Sequence, residues 1–183
     1  LSLHDALPIS ISGITPLLAA IEKNTILLPI LLQAGANPNP YSNSSSPLIS
    51  AIRTHNTNAI KLLLQSKADP NLPDLLGLTP LVSAVEDEAK DVVQLLLQAH
   101  ANPNQLSRSA FPLHIAIIKG NTEITHSLLQ AGANPNSSMS DAKTTPLMLA
   151  SQLGKVKIVY LLLQAGASRS RSEERRVGKE CRS

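Results

Sequence analysis

Residues 79–104 read TPLVSAVEDEAKDVVQLLLQAHANPN, and this stretch decides the fold. Thr79 can cap a helix, because its hydroxyl oxygen accepts a hydrogen bond from a free backbone N–H of the first turn. Pro80 suits the first helical position, where no donor is needed. The stretch therefore predicts a helix over about 80–87, a short turn, and a second helix over about 90–99 with a wide apolar face. The closing Asn-Pro-Asn predicts an extended loop.

The same pattern occurs five times along the chain. Its opening motif is TPLLAAI at 15, SPLISAI at 46, TPLVSAV at 79, FPLHIAI at 111 and TPLMLAS at 145, with spacings of 31, 33, 32 and 34 residues. A closing motif follows each one: LLQAGANPN at 31–39, LLLQSKADPN at 62–71, LLLQAHANPN at 95–104, LLQAGANPN at 128–136 and LLLQAGAS at 161–168. One helix pair cannot bury its own apolar face, so the copies are predicted to stack around a shared core.

This period near 33, the TPL opening and the LLL-x-x-G-A closing resemble the ankyrin repeat over about residues 15–168. The resemblance implies an all-α fold, an ankyrin-type solenoid of stacked helix-turn-helix repeats with β-hairpin-like connecting loops. Its motifs are specific for the fold and say little about which molecule is bound.

Three departures from the repeat pattern give local expectations. Pro29 fits only the first turn of a helix, so the second helix of repeat 1 is predicted to begin late, near Ile26. Lys67 and His100 replace the glycine that ends the second helix elsewhere, and both are predicted at positive φ. Phe111 stands where the others have a capping Thr or Ser.

Composition narrows the function classes. Aromatic residues make up 2% of the chain and Trp is absent, so the predicted core is Leu, Ile, Val and Ala. The net charge of +3 is not gathered on one face and stacking aromatics are absent, which argues against nucleic-acid binding. We expect no membrane insertion, because the longest apolar run is too short to span a bilayer. Cys181 is the only cysteine, and this fits an intracellular, cytoplasmic protein, although export as an effector stays open.

The two ends lack repeat character. Residues 1–10 and 171–183 resemble translated sequencing-adapter sequence, and a natural leader and a natural charged tail are the alternative. The predicted domain organisation is therefore a repeat domain over 11–169, with opening motifs at 15, 46, 79, 111 and 145, between two non-native segments.

No residues form a recognisable catalytic, cofactor or metal site. The histidines, at positions 4, 55, 100, 114 and 126, show no metal-ligand spacing, although His114 and His126 fall in one repeat. Acidic residues at 86, 87, 88 and 91 are expected to be solvent-exposed around a helix start. Phosphate-binding glycine loops are absent as well. We therefore expect a protein that is not an enzyme, binds no cofactor and takes no small-molecule substrate.

Two function classes fit the sequence. The first is a protein-protein interaction scaffold that binds another protein through its concave face and loop tips. The second is a targeting or regulatory arm of a larger enzyme or effector. The resemblance implies partner-binding residues in the hairpin before each opening motif and at the end of each first helix: Arg53, Thr54, Leu75, Leu76, Leu78, Glu86, Asp87, Arg108, Ala110, Ile118, Lys119, Lys143, Thr144, Gln152 and Leu153.

Overall fold

The computed structural model describes residues 15–23, 26–40, 46–108, 110–139 and 144–169. Within these ranges the chain forms ten helices in five consecutive pairs, and we call the first member of each pair helix A and the second helix B. Their bounds are α1 Pro16–Lys23, α2 Leu27–Gln33, α3 Pro47–Arg53, α4 Thr57–Gln65, α5 Pro80–Glu86, α6 Lys90–Gln98, α7 Pro112–Lys119, α8 Thr122–Gln130, α9 Pro146–Gln152 and α10 Val156–Gln164. The predicted helix pairs are confirmed. The proposed foreign ends, 1–10 and 170–183, lie outside the described residues.

The helices belong to two compact units, Leu1–Asn102 and Pro103–Ser183. In the first unit, α1 packs against α2 and α3, α3 against α4 and α5, and α5 against α6, while α4 lies against α2 and α6. In the second unit, α7 and α10 each pack against both α8 and α9. Within each unit, a helix A therefore contacts its own helix B and the helix A of the neighbouring repeat.

Each unit has the aliphatic core expected from the composition. One position of helix A holds an alanine with 0% exposure in repeats 2 to 5, and one position of helix B holds a leucine with 0% exposure. These residues are Ala51, Ala84, Ala116 and Ala150, and Leu63, Leu96, Leu128 and Leu162. Alanine in helix A leaves room for neighbouring helices to approach closely, and leucine in helix B fills the space between them.

The predicted Thr caps are present. The hydroxyl oxygens of Thr15, Thr79 and Thr145 accept hydrogen bonds from the backbone N–H three residues later, at 3.2–3.3 Å. The prediction was wrong for Ser46, whose side chain makes no cap bond. Its carbonyl oxygen still accepts from the N–H of Ser50 at 2.9 Å, so α3 begins at the expected place without the hydroxyl.

Helix B of repeat 1 begins late, as Pro29 predicted. The helix starts at Leu27 after Ile26, so Pro29 is its third residue and lies in the first turn. An N–H at this position has no partner inside the helix, and its loss therefore costs little. Asn56 and Asn121, which the sequence reasoning passed over, cap α4 and α8 by accepting from Ala59 and Ile124 at 3.0 Å.

Helix B ends in a left-handed residue in every repeat. Gly35, Gly132 and Gly166 have φ of 84° to 87°, and this confirms the predicted stop. Lys67 and His100 have φ of 66° and 65° at the equivalent positions, so the prediction for these two non-glycine residues is also confirmed. Both carry the conformational strain of a side chain in this region.

The last asparagine of each Asn-Pro-Asn or Asp-Pro-Asn sequence joins its loop to the loop of the next repeat. In all four cases its Oδ1 accepts from a backbone N–H, at 2.7–2.8 Å, and its Nδ2 donates to a backbone carbonyl, at 2.9–3.4 Å. We call these residues the bridging asparagines: Asn39 and Asn71 in the first unit, Asn104 and Asn136 in the second. They fix the spacing of successive loops. Among the described residues, none of the helices has the length and apolarity that crossing a membrane requires.

Candidate partner-binding surface

The hairpin before α5 is held by Asp74. Its Oδ1 accepts hydrogen bonds from the backbone N–H of Leu76 at 2.9 Å and of Leu78 at 2.8 Å. Its own N–H donates to the carbonyl of Leu78 at 2.9 Å, and Gly77, at φ 73°, donates to the carbonyl of Asp74 at 2.9 Å. A side chain of Asp that accepts from two nearby backbone N–H groups, followed by a glycine at positive φ, stabilises a tight turn. The tip is thus fixed by its own hydrogen bonds.

Two of the three hairpin leucines lie on the surface. Leu75 is 69% exposed and Leu76 is 71% exposed, whereas Leu78 is 5% exposed. Because the Leu78 side chain is buried, it is not available to contact a partner, contrary to the expectation from the sequence. Leu78 immediately precedes the cap of α5, and its side chain is buried with the core of the first unit. The exposed tip consists of Leu75 and Leu76.

The ends of helix A in the first unit present polar side chains. Arg53, Thr54, Glu86 and Asp87 are all exposed. The Thr54 hydroxyl donates to the carbonyls of its own helix, at 3.0 and 3.2 Å, and this fixes its rotamer. The surface at these helix ends is therefore charged in two repeats, with opposite signs.

The second unit presents a more apolar set at the equivalent helix ends. Ile118 is 53% exposed and Leu153 is 44% exposed, and Lys119 and Gln152 beside them are also exposed. Met148, which the sequence reasoning did not select, is 43% exposed one turn before Gln152. The residues at the same position in repeats 2 to 4 are buried. The sequence pattern therefore gives no sign that Met148 is exposed, and only the structure shows it.

The hairpin before α7 places two further predicted residues. Ser107 and Ala110 form an isolated antiparallel bridge with two backbone hydrogen bonds of 3.0 Å. Arg108 lies between them, exposed, at φ 56°, and Ala110 is half-buried. The predicted residues of the last hairpin are Thr144, which is half-buried, and Lys143, which lies outside the described residues.

His114 has a structural role in the second unit. It is fully buried, its Nε2 lies 3.4 Å from the carbonyl oxygen of Thr144, and its ring centroid is 5.7 Å from that of Phe111. Because a carbonyl can only accept, Nε2 carries the proton. Nδ1 is then a buried acceptor, and within the described residues it has no hydrogen-bond partner. Burial lowers the pKa of the imidazole from 6.5, and the Thr144 hydrogen bond opposes this shift to a smaller extent. His126 is exposed, so the two histidines of this repeat do not share an environment.

The acidic residues around the start of α6 lie on the surface. Glu86, Asp87, Glu88 and Asp91 are all exposed, and Asp91 lies in the first turn of α6, where its charge favours the helix. Across the described ranges, no three His, Cys, Asp or Glu side chains come close enough together to hold a metal ion.

Comparison with known proteins places the chain in a family. The family model for ankyrin repeats in three copies matches residues 2–74, 17–107 and 81–172. A crystal structure of an ankyrin repeat domain from Acinetobacter baumannii is 32% identical, with a TM-score of 0.82, and the alignment covers 92% of this chain and 88% of that one. The human transient receptor potential cation channel subfamily A member 1 is 33% identical over 151 residues, which cover 76% of this chain and 14% of the channel. The chain therefore spans about a seventh of that relative.

Proposed function

The chain belongs to the ankyrin-repeat family, and from this premise we propose that it is a non-enzymatic module that binds another protein. The fold is the all-α ankyrin fold that the sequence predicts. In the first unit, the proposed binding surface consists of the hairpin tip at Leu75 and Leu76 together with the exposed ends of α3 and α5.

The hairpin tip is the observation that carries this proposal. Leu75 and Leu76 are about 70% exposed on a turn that Asp74 holds by hydrogen bonds to Leu76 and Leu78. Removal of a leucine side chain from water is favourable in free energy, so two adjacent leucines held in solvent indicate a surface that a partner covers. Because the turn is already ordered, little conformational entropy is lost when a partner binds.

Charged residues at the ends of helix A and in the hairpin before α7 are proposed to set specificity. In the first unit Arg53, Glu86 and Asp87 are exposed, and in the second unit Arg108 and Lys119 are exposed. Charges at an interface mainly affect the rate of association and the discrimination between partners, and they contribute less to affinity. The affinity would come from several aliphatic contacts, because this chain has no Trp to serve as a single deep contact.

The remaining predicted residues extend this surface in each unit separately. We keep as proposed partner-binding residues all those of the sequence prediction except Leu78: Arg53, Thr54, Leu75, Leu76, Glu86 and Asp87 in the first unit, and Arg108, Ala110, Ile118, Lys119, Lys143, Thr144, Gln152 and Leu153 in the second. The repeat domain at 11–169 contains no cysteine, and this supports a partner inside the cell.

The second candidate function is that of an arm within a larger polypeptide. The match to a human cation channel favours this possibility. The aligned part is 14% of the channel, so in that protein a similar segment is one part of a much larger chain. Coding sequence beyond residues 11 and 169 decides between the two. Further repeats support the scaffold, and a catalytic or effector domain supports the arm.

Site-specific photocrosslinking tests the proposed surface. A photoreactive residue in place of Leu76 should crosslink one discrete partner in extract from the source cells, and excess unlabelled protein should compete. A photoreactive residue in place of Ile26, which is 78% exposed in the same unit, is the control for nonspecific apolar contact. Equal crosslinking patterns from the two positions would overturn the proposal.

A further inference from the structure

Helix α10 has an exposed apolar pair. Val156 is its first residue and is 78% exposed, and Tyr160 follows four residues later and is 64% exposed. Residues four apart lie side by side on the same face of a helix. The two side chains therefore form one apolar surface on the solvent side of α10.

The same positions are polar in the other repeats that align without a gap. They hold Thr57 and Lys61 in α4, Lys90 and Gln94 in α6, and Thr122 and His126 in α8. These side chains are exposed, apart from Thr122, which is half-buried. In α4 both positions face solvent even though α6 packs against that helix. The position is thus a solvent position in the repeat, and stacking of a further repeat does not account for valine and tyrosine there.

A groove adjoins this pair within the second unit. Its volume is about 230 Å³, and its lining includes Gly120, Thr122, Lys155, Val156 and Lys157. A side-chain carbon on Gly120 would lie 2.8 Å from Nζ of Lys155, so the Lys155 ammonium group lies directly over the Gly120 backbone. The groove thus combines an apolar side, formed by Val156, with two lysines.

The described part of the second unit is rich in positive charge. It holds five basic residues against one acidic residue, Glu123: the basic residues are Arg108, Lys119, Lys155, Lys157 and Arg169. An excess of one sign on the unit that carries the groove favours ligands of the opposite sign.

We propose that Val156, Tyr160 and the adjoining groove bind an acidic segment of a partner protein. An aliphatic side chain of that segment covers Val156 and Tyr160, and its carboxylates pair with Lys155 and Lys157. This site lies on helix B and shares no residue with Leu75 and Leu76, so it goes beyond the function proposed above. A concave groove beside two apolar side chains fits a polypeptide better than a membrane surface, which binds a long, continuous apolar helix face.

A synthetic amphipathic peptide with leucine on one face and glutamate on the other tests this site. Titration into the isotope-labelled full chain should shift NMR signals of α10 and of Gly120. The double variant Val156→Thr/Tyr160→Gln, which introduces residues that other repeats carry at these positions, should bind about tenfold more weakly. The matched control Gln94→His exchanges polar residues at the position of Tyr160 in α6, and it should bind as the wild type does.

Several results would overturn the proposal. The first is equal affinity for a peptide in which lysine replaces every glutamate. The second is unchanged affinity of the Val156→Thr/Tyr160→Gln variant, provided that circular dichroism shows it to be folded. Binding of phosphatidylserine vesicles without binding of the peptide would assign the site to membranes. Failure of the peptide to bind, together with a dimer in light scattering that the double variant abolishes, would assign it to a second copy of the chain.

Discussion

The side-chain oxygen of Asn71 accepts a hydrogen bond from the backbone N–H of Asn102, 31 residues further along the chain, at 2.7 Å. The side-chain amide of Asn71 donates to the carbonyl of His100 in the same loop, at 3.4 Å. Its own N–H donates to Oδ1 of Asp69 at 2.8 Å, so the Asp-Pro-Asn turn orients the asparagine that joins the two loops. The Asn-Pro-Asn motif thus specifies the spacing between repeats as well as the start of a loop.

Replacement of Asn71 by Ala should lower the free energy of unfolding by about 1–2 kcal/mol, because two hydrogen bonds between repeats are lost at a partly solvated site. Denaturant titration measures the change. Gln94→Ala, at an exposed position of α6, is the control and should shift stability by less than about 0.5 kcal/mol. An Asn71→Ala variant as stable as the wild type would show that the loops hold their spacing without this residue.

Glycine should stabilise the protein at the ends of α4 and α6. Lys67→Gly and His100→Gly are each expected to raise the free energy of unfolding by about 0.5–1 kcal/mol, since both residues have positive φ. Gly132→Ala is the reverse test, and it should destabilise by a similar amount. A side-chain carbon there would meet nothing within 4 Å, so that cost is conformational alone. Lower denaturant midpoints in both glycine variants would contradict the account of these helix ends.

Lowering the pH should destabilise the protein, because His114 is buried in its neutral form. Its pKa is lowered in the folded state, so the unfolded state binds more protons, and stability is full above pH 6.5 and declines as pH falls toward the folded-state pKa. Protonation would give buried Nδ1 a proton with no acceptor. In denaturant titrations at neutral and mildly acidic pH, His114→Gln should lose less stability than the wild type. His126→Gln, at an exposed position, is the control and should lose as much stability as the wild type. An equal loss of unfolding free energy between the two pH values in all three proteins would contradict this role of His114.

The ends should contribute no stability. Residues 1–10 and 171–183 lack the opening and closing motifs, and we propose that they are foreign to the repeat domain. Their joint deletion is expected to leave the thermal unfolding midpoint unchanged in differential scanning calorimetry. A drop of several degrees, which corresponds to about 1 kcal/mol for a domain of this size, would show that they are native parts of the fold.

The repeat pattern predicted the helices well, because each boundary depends on local chemistry. Thr79 before Pro80 marks the start of α5, and Pro29 marks the late start of α2, because a cap and a missing N–H act within the first turn. The positive φ of Lys67 and His100 followed from the glycines at equivalent positions. Ser46 shows the limit, because the sequence indicates that a hydroxyl is present but does not determine its rotamer.

The surface was less predictable, because burial depends on tertiary packing. Three leucines at 75, 76 and 78 have the same propensity, and only the turn held by Asp74 separates the exposed pair from the buried third. Val156 and Tyr160 are detectable by aligning the repeats, since the equivalent positions are polar, but a search for helix periodicity alone places them in an apolar run. Exposure is a property of the stack, and a single repeat does not reveal it.

Affinity of the chain for the crosslinked partner, with and without Leu75 and Leu76, tests the central claim most directly. Changing both leucines to Ser should weaken binding at least tenfold, because about 2 kcal/mol or more of apolar contact is lost. The unfolding midpoint should not move, since both side chains are exposed. Ile26→Ser should retain full affinity. Unchanged affinity in the double variant would contradict the proposed surface, and loss of folding would show that these leucines belong to the core.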